Sequence, residues 1–242
     1  MSAMELAHQD PLAQAAQKAV QGGDLETLRG LLGAHRELAS AQIRKGGGSG
    51  TLLHSACDWP GFFPQGAAVV RLLLDHGADP NVRTSGGGAG ETPLHYAASS
   101  DDAEVAQTLI AGGADIEAPD GSIGRPLSNA VGYGCWQVAW VLVAAGARVD
   151  TLWEAAALGM SARLAELSTG PAQPSQEALQ QALWHACCGG QPRTAAYLLT
   201  QGADLGGPFP DYAGSGLPLE AVRHLETRRE LLVRRLEEWG AS

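Results

Sequence analysis

The residue types with the most recognisable chemistry stand together near position 187. Cys187 and Cys188 follow His185, and thiolate and imidazole groups are the ligands that zinc prefers in proteins. A structural zinc site needs four ligands, but no second Cys-x-x-Cys or His pair accompanies these three residues. Adjacent residues on a helix also point in different directions. We therefore predict a buried thiol for Cys187, no metal site and no cofactor.

Two glycine-rich segments, 46–50 and 86–90, have the composition of phosphate-binding loops. In such a loop the backbone N–H groups surround the phosphates, and a Gly-Lys-Ser/Thr sequence follows to supply a cation and a hydroxyl. Neither segment continues into that sequence. We interpret both as flexible tips of surface loops.

A third segment, 58–66, places aromatic residues between prolines and glycines. Asp58 opens the segment, and Trp59, Phe62 and Phe63 supply its apolar surface. Two interpretations are open at this point. The segment is either a lid that folds back over its own helices or a contact patch, because exposed aromatic clusters mark binding surfaces.

The elements that position these residues repeat along the chain. Four helical apolar patterns end in Gly-Ala, and the first three follow one another at intervals of about 33 to 36 residues. A glycine at that point supplies the left-handed residue that ends a helix. A period near 33 is typical of a repeat array, in which each unit buries its apolar face against its neighbours.

The starts of the units match as well. The sequence Thr-Pro-Leu-His-Tyr-Ala-Ala at 92–98 recurs in weaker form from Thr51 and from Arg125. Thr92 is suited to cap a helix and Pro93 to occupy its first turn, while the alanines let two antiparallel helices approach closely. On these motifs the chain resembles the ankyrin repeat family.

The resemblance implies an all-α fold, an ankyrin-repeat α-solenoid of about seven helix-turn-helix units, some with β-hairpin fingers. It covers nearly the whole chain, so we expect a single ankyrin-repeat domain over 1–242, with irregular spacing after the fourth unit. The predicted units are roughly 12–45, 46–82, 83–117, 118–150, 151–170, 175–206 and 207–242. Segment 58–66 is an insertion between the two helices of the second unit.

The resemblance also implies where a partner docks. In ankyrin proteins the fingers and the first helix of each unit form a concave face, and the histidine of the Leu-His pair, here His54 and His95, ties neighbouring units together. The positions that match the concave face, together with the insertion, form the candidate binding set. Its members are Asp58, Trp59, Phe62, Phe63, Tyr96, Ser100, Asn129, Tyr133, Glu154 and His185.

Glu154 and His185 also carry a catalytic alternative. They fall in adjacent units, and a carboxylate that orients an imidazole is the usual arrangement of a general base. An ordinary hydrogen bond between repeats explains the same pair, and no third group completes a catalytic set, so we assign no catalytic residue. The alternative function is a small-molecule or cofactor-independent enzymatic pocket under the 58–66 insertion. Its walls would be Tyr96, Asn129, Tyr133, Glu154 and His185.

Composition argues against several other classes of function. The 242 residues include 26 acidic and 16 basic side chains, a formal net charge of −10, which disfavours nucleic-acid binding. No apolar run reaches the ~18 residues that a membrane span needs, and the first residues lack a signal-peptide pattern. We expect a non-catalytic cytoplasmic monomer that binds a protein partner. Because lysine occurs only at positions 18 and 45 amid abundant Ala, Gly and Arg, we also expect a bacterial source.

Overall fold

The computed structural model describes residues 4–86, 90–169 and 173–204, together with residues 230 and 234. The predicted seventh unit, 207–242, lies outside the described residues except for those two positions. The described residues group into two compact units. The first compact unit contains residues 4–130 and 137–147, and the second contains 131–136 and 148–204.

Helices dominate both compact units. In chain order the elements are β1 (Glu5–Ala7), α1 (Pro11–Gly22), α2 (Leu25–Ala34), β2 (Gln42–Lys45), β3 (Gly48–Gly50), α3 (Leu52–Cys57), α4 (Gly66–Asp75), α5 (Pro93–Ser100), α6 (Ala103–Ala111), α7 (Pro126–Tyr133), α8 (Trp136–Ala144), α9 (Leu152–Ala157), α10 (Ser161–Ser168), α11 (Gln176–Cys188) and α12 (Pro192–Thr200). A 3₁₀ turn, Arg36–Ser40, follows α2. Within the described part of the chain, these α-helices form six consecutive pairs.

Helix starts and ends have the local chemistry that the sequence predicts. Thr51 and Thr92 each form a capping box with the histidine three residues later, and Pro93 occupies the first turn of α5. The glycines of the four Gly-Ala motifs have φ between +86° and +99°. Because that region strains residues with a Cβ, glycine is the residue that ends these helices at low cost.

A small sheet lies at the start of the first compact unit. Strands β2 and β3 form an antiparallel hairpin, with Ile43 opposite Gly50 and two glycines in the turn. Strand β1 adds to β2 in parallel, with Leu6 opposite Ile43. The expected hairpin finger is therefore present. The parallel strand β1 was not predicted, because three residues are too few to show an alternating pattern.

The later fingers are less regular. Ser49 and Ser85 form an isolated antiparallel bridge, which joins β3 to the segment that precedes α5. Segment 115–125, which is long enough for a hairpin, instead contains a turn in which Gly121 N donates to the carbonyl of Gly124, 2.8 Å away. That segment contains no strand.

Two histidines join neighbouring repeats in the first compact unit. His54 Nε2 lies 3.1 Å from the carbonyl oxygen of Glu91, and His95 Nε2 lies 3.0 Å from that of Gly124. Burial lowers the pKa of His54 to about 4, so its ring is neutral at pH 7. Thr51 N donates to Nδ1, so Nε2 carries the proton that is donated to Glu91. The structural role predicted for both histidines is confirmed.

Close backbone approach holds the second compact unit together. Helices α9 and α11 pack so tightly that a Cβ added at Gly189 would overlap the carbonyl oxygen of Ala157. Nearby, the buried Thr194 hydroxyl donates to the carbonyl of Ala156 at 2.8 Å. Trp184 and Cys188 form a small apolar cluster with Trp136, and Cys187 is buried as predicted.

Candidate functional site

An open groove of about 720 Å³ lies in the first compact unit, between the fingers and the first helices of successive repeats. Helix α1 contributes Gln17 and Gln21, α3 contributes Ser55, and α5 contributes Tyr96. The opposite wall is formed by the β2–β3 hairpin and by residues 84–86 of the next finger. Because this site contains both finger and first-helix residues, it has the composition expected of an ankyrin docking surface.

The helix wall of the groove is held by contacts between repeats. Gln17 Nε2 donates to the hydroxyl of Ser55 at 3.2 Å, which ties α1 to α3. The rings of His54 and Tyr96 meet edge to face, with centroids 5.1 Å apart, which ties α3 to α5. Tyr96 is thereby fixed at the groove rather than left free to rotate away from it.

The finger wall is held by backbone hydrogen bonds. Ser49 N donates to the carbonyl of Ser85 at 2.8 Å, and Ser85 N donates back to the carbonyl of Ser49 at 3.0 Å. Thr84 N donates to the carbonyl of Glu91 at 2.9 Å, which closes the base of the second finger. Lys45, at the end of β2, places an ammonium group on this wall.

Two carboxylates line the same groove. Glu91 Oε1 accepts hydrogen bonds from Ser122 N and from Asn129 Nδ2, both at 2.9 Å. Asp58 Oδ1 accepts from Trp59 N at 2.9 Å. Within the described residues neither carboxylate forms an ion pair. These hydrogen bonds orient both carboxylates, and neither carboxylate has a cation in ion-pair contact among the described residues.

The groove alters the titration of two of its residues. Loss of hydration raises the pKa of Asp58, although the hydrogen bond from Trp59 and the charge of Lys45 act in the opposite direction. Burial also raises the pKa of Tyr96, and the charges of Asp58 and Glu91 add to that effect. Both carboxylates therefore act electrostatically on the same phenol ring.

The 58–66 insertion is held firmly, yet it exposes two of its aromatic rings. Phe62 N donates to Asp102 Oδ2 at 2.9 Å, and Gln65 Nε2 donates to the carbonyl of Gly23 at 3.0 Å. Neighbouring repeats on both sides thus anchor the loop. Trp59 and Phe62 nevertheless remain 67% and 63% exposed, so these two rings do not fold inward over the helices.

Phe63 faces a different part of the surface. It lies with Phe62 in a recess of about 510 Å³, where residues of α4 and α6 form the other walls. This recess is distinct from the groove, because its lining includes Glu104 and Gln137 and no finger residue. The insertion therefore stands between the groove, which Asp58 lines, and this recess.

Three residues of the candidate binding set lie inside the protein and form structural contacts. Ser100 donates to the carbonyl of Cys57 at 3.0 Å, and Asn129 Oδ1 accepts from Ile123 N at 3.0 Å. Glu154 is fully buried, and its Oε2 accepts from Thr151 N at 3.3 Å in a capping box. The Thr-x-x-Glu sequence at 151–154 is the signal for this cap.

His185 is also buried. Its Nδ1 lies 2.9 Å from the carbonyl of Gln181, and its ring centroid lies 4.6 Å from that of Trp153. Burial lowers the pKa of His185 to about 4, so the ring is neutral at pH 7. The Trp153 contact brings α9 beside α11, as adjacent repeats require, but acid–base pairing of His185 with Glu154 stays a prediction.

The candidate set thus divides by location. Asp58 and Tyr96 line the groove, and Trp59, Phe62 and Phe63 lie in the adjoining loop. Tyr133 is half-buried in the second compact unit. Two groove residues, Lys45 and Glu91, were missed. Their positions beside the glycine-rich finger tips were the available signal, because surface loops frequently carry binding residues.

Comparison with known proteins identifies the repeats. A family model described as ankyrin repeats (3 copies) matches residues 66–152. The chain therefore contains ankyrin repeats. No curated protein matches it. Among solved structures, it is similar to the crystal structure of the human ASB11 ankyrin repeat domain, with 21% identity and a TM-score of 0.52. That match covers 91% of this chain and 98% of the other, and it concerns the fold.

Ankyrin repeats generally act as scaffolds for protein–protein interaction. Among the described residues of this ankyrin repeat protein, no helix combines the length and the apolar character needed to cross a bilayer. The same residues contain no cluster of three or more His, Cys, Asp or Glu side chains that could hold a metal ion.

Proposed function

We propose that this ankyrin repeat protein is a non-catalytic scaffold that binds a protein partner through its concave face, at the groove between the fingers and the first helices. The observation that carries the proposal is the groove itself, which Tyr96 and Asp58 line and in which hydrogen bonds hold each of the two walls. A preformed surface of this kind binds without a large ordering cost.

Two features favour a macromolecular partner over a small molecule. The groove is open to solvent, and Asp58 in its lining begins a loop that exposes Trp59 and Phe62. Aromatic residues that are held rigidly and exposed are typical anchors of protein interfaces. A small-molecule pocket walled by Asn129 and Glu154 has less support, because both side chains are fully buried.

Site-specific cross-linking tests the proposal. A photoreactive amino acid is placed at Gln21, which lines the groove, and in a matched control at Gln107, an exposed position on α6. In native extract we expect discrete cross-linked polypeptides from position 21 only. Substitution Tyr96→Ala is expected to abolish them, with thermal melting to confirm that the variant folds.

Two outcomes contradict the proposal. Cross-linked polypeptides common to positions 21 and 107 would show that the groove is not the docking surface. Cross-linking at position 21 that persists in a folded Tyr96→Ala variant would show that the helix wall does not contact the partner. A small molecule that co-purifies with the wild type and is lost in the same variant would favour the alternative function.

We further propose that residues 1–242 form a single ankyrin-repeat domain of seven units, and that the protein is a cytoplasmic monomer of bacterial origin. The twelve helices within the described residues support the repeat organisation, and the scarcity of lysine supports the bacterial origin. Sedimentation equilibrium should give the mass of one chain, 25.0 kDa, and a dimer mass would contradict the monomer.

A further inference from the structure

The groove has a charge pattern that specifies its partner more closely. Resting on the proposed function, we infer that the groove takes an extended segment of a partner protein and seats an arginine or lysine side chain between Asp58 and Glu91, against the ring of Tyr96.

The first support for this inference is that two groove carboxylates form no ion pair within the described residues. Asp58 and Glu91 both line the groove, and neither has a cation as a partner within the described residues. The groove removes part of the hydration of Asp58, and the charge of Lys45 offsets this effect without forming an ion pair with Asp58 within the described residues. A cation from a partner would restore that lost stabilisation, because partly desolvated charges gain most from pairing.

The tyrosine is the second support. Tyr96 lines the groove with both carboxylates and is held by its edge-to-face contact with His54. An aromatic ring beside carboxylates suits a guanidinium or ammonium group, which gains a cation–π contact in addition to the ion pair. His54 does not compete for this place, because its ring is neutral and both of its nitrogens are already bonded.

The shape and the opposing charges define the rest of the segment. Lys45 and His8 are the other ionisable groups that line the groove, and Lys45 lies on the finger wall. A basic residue seated between Asp58 and Glu91 meets two carboxylates, against the single ammonium group of Lys45 in the groove lining. The open form of the groove suits an extended chain, whose next residues would reach Trp59.

Selection of peptides from a random display library on the full-length protein tests this inference. We expect the selected peptides to share an arginine or lysine at one fixed position. Their affinity is expected to fall at least about fivefold in Asp58→Asn and in Glu91→Gln, since each loses one charge of an ion pair. Both substitutions retain the oxygen that accepts the existing hydrogen bonds.

Two control variants complete the design. Lys45→Glu adds a third carboxylate to the groove and should strengthen binding of the same peptides. Glu104→Gln removes an exposed carboxylate from the separate recess and should leave binding unchanged. Opposite effects of Lys45→Glu and Asp58→Asn separate a charge effect from loss of folding, because a folding defect would weaken binding in both.

The outcomes separate the inference from the function on which it rests. Selected peptides that need Tyr96 but share no basic residue, or that bind equally to Asp58→Asn, would overturn the inference and leave the proposed docking groove intact. A selection in which no peptide depends on Tyr96 would contradict the proposed function, and the inference with it.

Discussion

Asp102 is the residue through which the fold is predicted to hold the exposed aromatic loop in place. It is 5% exposed, and its two carboxylate oxygens have separate partners. Oδ1 accepts from Val105 N at 3.2 Å and caps α6, whereas Oδ2 accepts from Phe62 N at 2.9 Å and anchors the insertion. One side chain therefore joins the loop of one repeat to the helix of the next.

The substitution Asp102→Asn separates these two roles. The amide retains an oxygen for Val105 but presents an N–H₂ donor to Phe62 N, which is itself a donor. A hydrogen bond to a charged group contributes about 1.5–3 kcal/mol. Because Phe62 lies at the surface, water reaches the freed N–H, and we expect a loss near the lower limit, about 1.5 kcal/mol. In Asp102→Ala, loss of the cap adds about 1 kcal/mol.

Urea unfolding monitored by tryptophan fluorescence measures both losses of unfolding free energy. Thermal melting is the second measurement: for a chain of this size, a loss of about 1.5 kcal/mol lowers the melting temperature by roughly 3–6 °C. The matched control is Asp24→Asn, because Asp24 caps α2 and both of its hydrogen bonds go to Thr27. We expect a smaller loss in that variant, because Asp24 is exposed and the Asn oxygen still caps α2. An Asp102→Asn protein as stable as the wild type, or an equal loss in Asp24→Asn, would refute the anchoring role.

Three further predictions concern packing, buried hydrogen bonding and pH. Gly189→Ala should destabilise the protein by about 1–3 kcal/mol, because the added Cβ meets a backbone carbonyl of α9. Gly30→Ala, in open space within α2, should stabilise it by about 0.5–1 kcal/mol. Thermal melting in which both variants shift the melting temperature in the same direction would contradict the packing of Gly189 against α9. Thr194→Val should lower the free energy of unfolding in urea by about 1–2 kcal/mol, because it removes the buried hydrogen bond to Ala156. Thr200→Val, which removes an exposed hydroxyl, should lower it by less than about 0.5 kcal/mol. Equal losses in the two variants would contradict the stabilising role of the buried hydrogen bond. The pKa of His54 is about 4 in the folded protein and near 6.5 in the unfolded chain. Between these two values the unfolded chain binds more protons than the folded protein. The contribution of His54 to stability is therefore present above pH 6.5 and is lost as the pH falls towards 4. Measurement of the unfolding free energy against pH should give a smaller slope in His54→Gln over that window, and an unchanged slope would exclude the neutral buried ring.

Much of the fold follows from local sequence signals. Thr92 with His95 specifies a capping box, and each Gly-Ala motif places a glycine where the backbone turns left-handed. These signals act within a few residues of one another, so a single sequence contains them completely. The contact of His54 with the next repeat was predicted from the family resemblance, and the structure confirms it.

Other features depend on long-range contacts that no local pattern specifies. Lys45 and Glu91 meet at one groove only because Ser49 pairs with Ser85 in the next finger. Helix α8 is apolar on nearly every face, so its pattern does not reveal which side packs, and its Trp140 is 47% exposed.

Glu154 carries two sequence signals of different kinds. Its residue type and its place in the concave stripe suggested chemistry, yet a carboxylate three residues after Thr151 is first a capping-box signal. The Glu154 carboxylate accepts from the backbone N–H groups of Asp150 and Thr151 and is fully buried. A check for local capping should therefore precede any functional interpretation of such a residue.

Hydrogen–deuterium exchange of the full-length protein, with and without a selected peptide, tests the central claim most directly. If the partner binds between the fingers and the first helices, backbone amides at 48–50 and 91–96 and around Trp59 should exchange more slowly in the complex, while those of α6 keep their rates. Protection confined to α6, or to any surface outside the groove and its adjoining loop, would contradict the account.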